Sequence, residues 1–288
     1  MNIDMDAVSK NAAAAASLRL AMGQVQALRK GVPTVPLPRL DPSPDDDRDY
    51  PFVPLGTPIF RQSDMRPSCT AIEQQSNLGS CTGQATVGAC EYFMNREKFF
   101  TAGLSDLSPL AVYKMARDRD GIMGDNGANL RSALQVARKL GVPRETTVPY
   151  LIDRYDDALT DAAVAEALKQ KLTRFERIDP KDKNVHRLLK AALSEKLPVV
   201  MAGWVFEWLR HLTGTLPNHK IIRADPSLSG VIGAHAQVIV GFSNWRGQYI
   251  VRNSWGPEWG YKGYWGMLTA DVKFAFEFYV VRSFHSDL

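Results

Sequence analysis

The sequence predicts an α+β fold in two lobes, a helical first lobe followed by an antiparallel, β-barrel-like second lobe, with a cleft between them. Three observations carry this. From Cys81 to about residue 195 apolar residues recur at helical spacing. From Pro198 onward the chain consists of short β-branched or aromatic runs separated by turn residues. And 288 residues, 45% hydrophobic and 23% charged, have an ordinary globular composition and enough length for two lobes.

Residues 1–58 stand apart from 59–288, where the folded domain is expected. Residues 7–30 are Ala-rich, with Leu18, Met22, Val25 and Leu28 at helical spacing and Gly31 as a stop. That apolar stripe is too short to stand alone in water and gains by docking on a surface. The proline-dense run that follows can hold neither helix nor central strand and is expected to be extended. A disordered tail or linker fits the same composition.

Next comes QQSNLGSCTGQA. Leu78-Gly79-Ser80 reads as a turn, and Ala85, Ala89, Tyr92 and Phe93 put Cys81 at the start of a helix. There free N–H groups and the helix dipole favour a thiolate, the form of cysteine that attacks carbonyls. Taken alone, such a cysteine is more often buried and inert. Ser108-Pro109 is a cap pair for LAVYKMARDRD. Asn129 heads LRSALQVARKL, whose Leu130, Leu134, Ala137 and Leu140 share a face before Gly141. DAAVAEALKQKL and VHRLLKAALSEKL are two further helix candidates. The strand candidates are PVVMAGWV, AQVIVGF, QYIVRN, YWGML and FEFYVVRSF. His235 is expected at the start of the second of these. Asn253 ends the third and opens NSWGPEWGYKGYWG, where Trp255, Trp259, Tyr261 and Tyr264 are interleaved with Gly256, Gly260 and Gly263.

Other functions are set aside on composition. A net charge of +4 with no Lys/Arg-rich run argues against nucleic acid. No run of 18 uncharged apolar residues could span a membrane. Asp4, Asp6 and Arg19 spoil a secretory signal, so the expected address is the cytoplasm or export by another route. Cys69, Cys81 and Cys90 do not make a disulfide scaffold. His186, His211, His219 and His285 have no paired ligands at zinc-like spacing, so neither metal nor other cofactor is expected. The expected state is a monomer.

The order Gln–Cys–His–Asn, with the residues around each, resembles the papain family of cysteine proteases in its bacterial form. Gln75 with Gly79-Ser80-Cys81 matches the family's nucleophile turn, and His235 its histidine. Asn253-Ser254-Trp255-Gly256, with Trp259-Gly260 and Gly263-Tyr264, matches its asparagine motif. The similarity runs from Asp64 to near Val281 and leaves out the first sixty residues. Two departures stand out: Thr82 replaces the Trp that commonly follows the nucleophile, and Leu78 replaces a common disulfide cysteine. The latter fits a reducing compartment or a bacterial variant.

The resemblance implies a thiol endopeptidase acting on proteins or peptides through an acyl-enzyme. Cys81 would be the nucleophile and His235 its ion-pair partner and proton carrier. Asn253 would orient His235 under the shield of Trp255, and Gln75 would share the oxyanion hole with the Cys81 N–H. Asn126, Gly127 and Ala128 would pair with substrate backbone, and Leu130, Ala202, Gly233 and Ala236 would line an apolar subsite. The arm would lie in the cleft as an inhibitory prosegment, making the chain a zymogen. An acyltransferase other than a protease, or a silent binding protein on the same fold, are the alternatives.

Overall fold

The computed structural model describes residues 40–44, 46, 49–97, 106–210 and 230–287. The helix expected over 7–30, most of the proline-dense run, and His211 and His219 lie outside them. The organising element is α1 (Cys81–Arg96), buried along nearly its whole length. Small residues permit this. A Cβ on Gly83 would sit 2.3 Å from the Pro109 carbonyl oxygen, so α2 (Pro109–Asp120) closes on that side. A Cβ on Gly88 would stand 3.1 Å from Arg252 Nε, where the sheet closes on the other. Ser108 caps α2 as expected, its hydroxyl accepting from Ala111 N. Then follow α3 (Leu130–Lys139), α4 (Asp161–Ala167) and α5 (Val185–Ser194).

Among the described residues the sheet has seven strands: β1 (Gln62–Asp64), β2 (Gln170–Ile178), β3 (Val199–Phe206), β4 (Val231–Ser243), β5 (Gln248–Arg252), β6 (Tyr264–Leu268) and β7 (Ala275–Ser286). All pairings are antiparallel, in the order β2-β7-β3-β4-β5-β6 with β1 on β4. A short helix, α6 (Glu207–Arg210), follows β3.

Three expectations are corrected. DAAVAEALKQKL is not one helix: it stops at Ala167, and QKLTRFERI becomes strand β2, contributed by the stretch expected to be helical. Gly141, at φ +84°, lets the chain close on the helix end, where a Cβ would stand 1.8 Å from the Ala167 carbonyl oxygen, and Val142 N donates to Gln170 O at 2.9 Å. Beyond that contact Leu172 and Ile178 pair with β7. Second, the barrel-like sheet is not closed. Its β2 edge is taken by the chain itself: Phe52 N donates to Arg177 O at 2.8 Å and Arg177 N to Tyr50 O at 2.8 Å. Closure would need β6 there. Third, β4 starts at Val231, so His235 stands inside a strand rather than at its beginning.

Residues 49–60 are tied to the body. Asp49 pairs with the buried Arg131 at 2.5 Å, Arg282 Nη2 donates to Val53 O, and Phe60 N donates to Ser194 Oγ.

Between α1 and β5 lies a buried polar cluster. Glu91 accepts from Thr70 Oγ1 and Leu107 N, while Arg252 Nη1 donates to Thr70 O. Burial, and then the neighbouring Glu73, push Glu91 well above the carboxylate range; burial does the same to Glu73. A raised folded pKa means stability that is full below the unfolded value, about 4.5, and lost as pH rises through the folded values. His235 has the opposite sign: burial lowers it from 6.5 to about 4, so its share is present above 6.5 and lost on acidification. The melting temperature is therefore expected to fall between pH 6.5 and pH 8, where only the carboxyls act. Glu91→Gln should flatten that decline by several degrees in a calorimetric pH series. An unchanged slope would remove Glu91 as its source.

Candidate active site

Cys81 is the first residue of α1, with Ser80 at the N-cap position. Ser80 does not cap the helix with its hydroxyl, which is 2.5 Å from Tyr150 OH. The opening N–H groups of α1 are thus left to the sulfur. Hydrogen bonding by the backbone N–H groups of Ala236, Thr82 and Cys81 favours the thiolate, yet burial outweighs it and pushes the thiol up to about 11.

His235 faces Gly203 across β3 and β4. Its Nε2–H donates to Asn253 Oδ1 at 2.7 Å, and Ser254 N donates to the same oxygen at 2.9 Å. Two donors on one oxygen fix the amide's orientation, and with it the tautomer that leaves Nδ1 for proton transfer. Asn253 sits directly after β5, its own N–H held by Gly263 O at 3.0 Å. Trp255 stacks on the imidazole with centroids 4.7 Å apart, and Trp259 packs edge-on against Trp255 at 5.2 Å. Trp259 Nε1 donates to Leu209 O, anchoring the Gly/Trp segment as a lid over the His–Asn bond. Burial accounts for the lowered His235 pKa, with the Asn253 bond only partly offsetting it. In both Cys81 and His235, therefore, burial disfavours the charged form.

Gln75 is held at both ends of its amide. Ser254 Oγ donates to Oε1 at 2.6 Å, and Nε2 donates to Leu78 O at 3.0 Å, leaving one N–H of Nε2 for another acceptor. Its backbone is fixed as well, through Gln75 N to Ser254 O and Tyr150 OH to Gln75 O, both 3.0 Å. Gln75 and Asn253, remote in sequence, are therefore joined through Ser254. The sequence reading assigned Ser254 no role, although it lies inside the quoted asparagine motif. For Tyr150 no local signal exists. The four residues are nearly sealed: Cys81 is 1% exposed, His235 and Gln75 2%, Asn253 3%.

The expected subsite residues divide. Gly127 sits at φ +82°, with Ala128 and Leu130 buried beside it at the start of α3. Asn126 is exposed, its side chain turned back to Met123 O. Ala202 and Ala236 are directly opposed on one face of β3–β4. Gly233, by the two-residue period of β4, falls on the other face with His235. On that face lies a cavity of about 40 Å³, lined by His235, Met201, Trp208, Gln237, Trp265 and Phe274. Gln237 Oε1 accepts from Trp265 Nε1, and its Nε2 has no partner among the described residues.

Among the described residues, no group of three His, Cys, Asp or Glu is arranged to hold a metal ion, and no helix is long and apolar enough to cross a membrane.

Comparison with known proteins points one way. Residues 60–280 match the model for papain family cysteine proteases. The chain is 27% identical over 228 residues to an uncharacterized peptidase C1-like protein of Acanthamoeba polyphaga mimivirus, covering 75% of this chain and 71% of that one. It is 27% identical over 196 residues to vignain of Vigna mungo, covering 68% of this chain and 50% of vignain, so it spans half that relative's length. With cathepsin K of Gallus gallus it shares 26% over 234 residues, 79% of this chain and 64% of the other. Among solved structures, xylellain from Xylella fastidiosa superposes with a TM-score of 0.75 at 24% identity, covering 90% of this chain and 99% of that one. Digestive procathepsin L 3 of Tenebrio molitor gives 0.62 at 22% identity, covering 80% and 72%.

Proposed function

Because the chain belongs to the papain family of cysteine proteases, we propose that it is an endopeptidase working through Cys81 and His235, with its own N-terminal arm as an inhibitor. The observation that carries the catalytic reading is the joined set of Gln75, Ser254, Asn253 and His235, hydrogen-bonded end to end around the N-terminus of α1.

In the first step the Cys81 thiol proton passes to His235 Nδ1. Burial opposes each charge separately, but the pair forms together, and mutual attraction in a water-poor site offsets part of that cost. The thiolate attacks the scissile carbonyl carbon. The resulting oxyanion accepts from the uncommitted Gln75 Nε2–H and the Cys81 N–H, placed where charge develops. Collapse breaks the C–N bond as the imidazolium protonates the leaving amine, giving an acyl-enzyme on Sγ. Water then attacks while His235 takes its proton, releasing the acid and restoring the thiol. Ala202 and Ala236, with Leu130, favour a bulky apolar side chain in the acyl half of the substrate.

For the arm, support comes from Leu40–Pro44. Leu40 is 2% exposed and belongs to the same apolar cluster as Ala128, Leu130, Ala202 and Ala236. Ser43 N and Oγ donate to Glu277, the residue opposite Ala202 on β7, and Ser43 Oγ accepts from Arg131 N. Arg131 also donates to Pro44 O. The ties of Ser43 and Pro44 to Glu277 and Arg131, which neighbour Ala202 and Leu130, support a reading in which Leu40 occupies the apolar subsite.

Full-length protein and a chain beginning at Asp41, which keeps the Ser43 and Asp49 ties, should be compared on a dipeptidyl fluorogenic amide. About tenfold or greater kcat/KM in the shorter chain is expected, from removing intramolecular competition for the subsite. Hydrolysis by neither form would overturn the peptidase reading. Equal kinetics would overturn the inhibitory arm alone.

A further inference from the structure

The nucleophile turn and the substrate edge come from segments more than forty residues apart in sequence. All three cysteines are free, so no disulfide joins them. Yet Gly79, two residues before the nucleophile, lies against Gly127. A Cβ on Gly79 would stand 2.9 Å from Asp125 Oδ1 and 3.3 Å from Gly127 N. What holds the two backbones together is a pair of side chains. Asp125 Oδ1 accepts from Gly79 N at 2.8 Å and from Tyr113 OH at 2.7 Å. Tyr113 OH in turn accepts from Gly127 N at 3.1 Å. Tyr113 is fully buried on α2, its ring beneath the Arg117 guanidinium at 4.7 Å. Arg117 Nη1 also donates to Gly124 O at 2.8 Å, pinning the other end of the same loop.

Building on the peptidase reading, we propose that Asp125 is a positioning residue, and that Asp125 with Tyr113 forms a relay coupling the substrate edge to the oxyanion turn. Substrate backbone pairing at the edge acts on the loop 124–128. Any displacement of Gly127 is passed through the Tyr113 hydroxyl and the Asp125 carboxylate to the Gly79 N–H. Gly79 leads through Ser80 to Cys81, whose N–H is one oxyanion donor, and Leu78 O holds the amide of the other, Gln75. Occupancy of the edge therefore sets both donors, and a shift of about 1 Å there is enough to cost on the order of 100-fold. A carboxylate has a geometric advantage in this place, since one oxygen can serve two donors at once. Its charge works against the nearby thiolate, as Asp125 is among the influences raising Cys81. Its presence so close to the nucleophile is thus better explained by its hydrogen bonds than by its charge.

The test uses the full chain and three variants, Asp125→Ala, Asp125→Asn and Tyr113→Phe, each checked for an intact melting transition. Two substrates are compared: a dipeptidyl amide long enough to pair with the edge, and a single-residue acyl ester too short to reach it. Asp125→Ala should lower kcat/KM on the dipeptidyl amide by about 10-fold to 100-fold and on the ester by no more than about threefold. Asn keeps an acceptor oxygen for both donors. Asp125→Asn should recover most of the loss, while alkylation of Cys81 by iodoacetamide shifts to lower pH because the opposing charge is gone. Tyr113→Phe cuts only the Gly127 link and should raise KM for the amide more than it lowers kcat. Wild-type kinetics in Asp125→Ala, or equal losses on the two substrates with no recovery in Asp125→Asn, would overturn the relay while an active wild type keeps the peptidase reading intact. A wild-type protein inert toward both substrates would overturn both.

Discussion

Replacing Cys81 with alanine is expected to bring peptidase turnover down to background, a loss of about 10⁴-fold or more, with the fold unchanged. The gap left by one sulfur atom is small, and the helix is held by packing at Gly83 and Gly88 rather than by the thiol. Chemical labelling gives the complementary result. Cys90 is wholly enclosed, and burial raises its thiol strongly; Cys69 is half-buried, and its Sγ–H is engaged with Met65 O. Of the three, only Cys81 opens a helix, where free N–H groups favour the thiolate. An epoxysuccinyl or iodoacetamide reagent should therefore modify Cys81 first, in step with loss of activity, and faster in the chain beginning at Asp41. Mass spectrometry of the modified peptides checks this. Equal modification of the three thiols with activity untouched would remove Cys81 from the mechanism.

Gln75→Ala is the second large effect. In the proposed mechanism it deletes an oxyanion donor and leaves the thiol and imidazole in place, so kcat should fall by about 100-fold to 1000-fold with KM little changed. Ser254→Ala gives a graded control. Without the hydroxyl on Oε1 the amide is free to rotate, though Leu78 O still holds Nε2, so a smaller loss in kcat is expected. If Gln75→Ala kept full activity, the oxyanion would have to be stabilised by other donors.

The four residues read as catalytic were singled out by the order Gln–Cys–His–Asn and the resemblance it carries, not by any one segment. Gln75 and Cys81 share one turn, and Asn253 opens a Gly/Trp segment. His235 had only its place between them. The helices from Cys81, Pro109, Leu130 and Val185 were legible for a different reason, since their apolar spacing, and for α2 the Ser108 cap, are local. Strand β2 was not. QKLTRFERI carries four charged residues and continues a helical pattern, and its strand state comes from β7 beside it.

By itself, then, the sequence determined the α+β class, the chemistry available at Cys81, His235, Asn253 and Gln75, and the helices whose signals are local. Tertiary structure alone decided how that chemistry is tuned and held. Burial moves the Cys81 and His235 pKa values apart, in the direction opposite to a ready-made ion pair, because desolvation depends on what surrounds a group in space. The sheet stays open because residues 50–52 reach the β2 edge before β6 can, a pairing that no local propensity encodes. Ser254, Tyr150, Asp125 and Tyr113 are held in place by hydrogen bonds between segments apart in sequence. A hydrogen bond is fixed by distance and direction between two atoms, and residue type alone states neither.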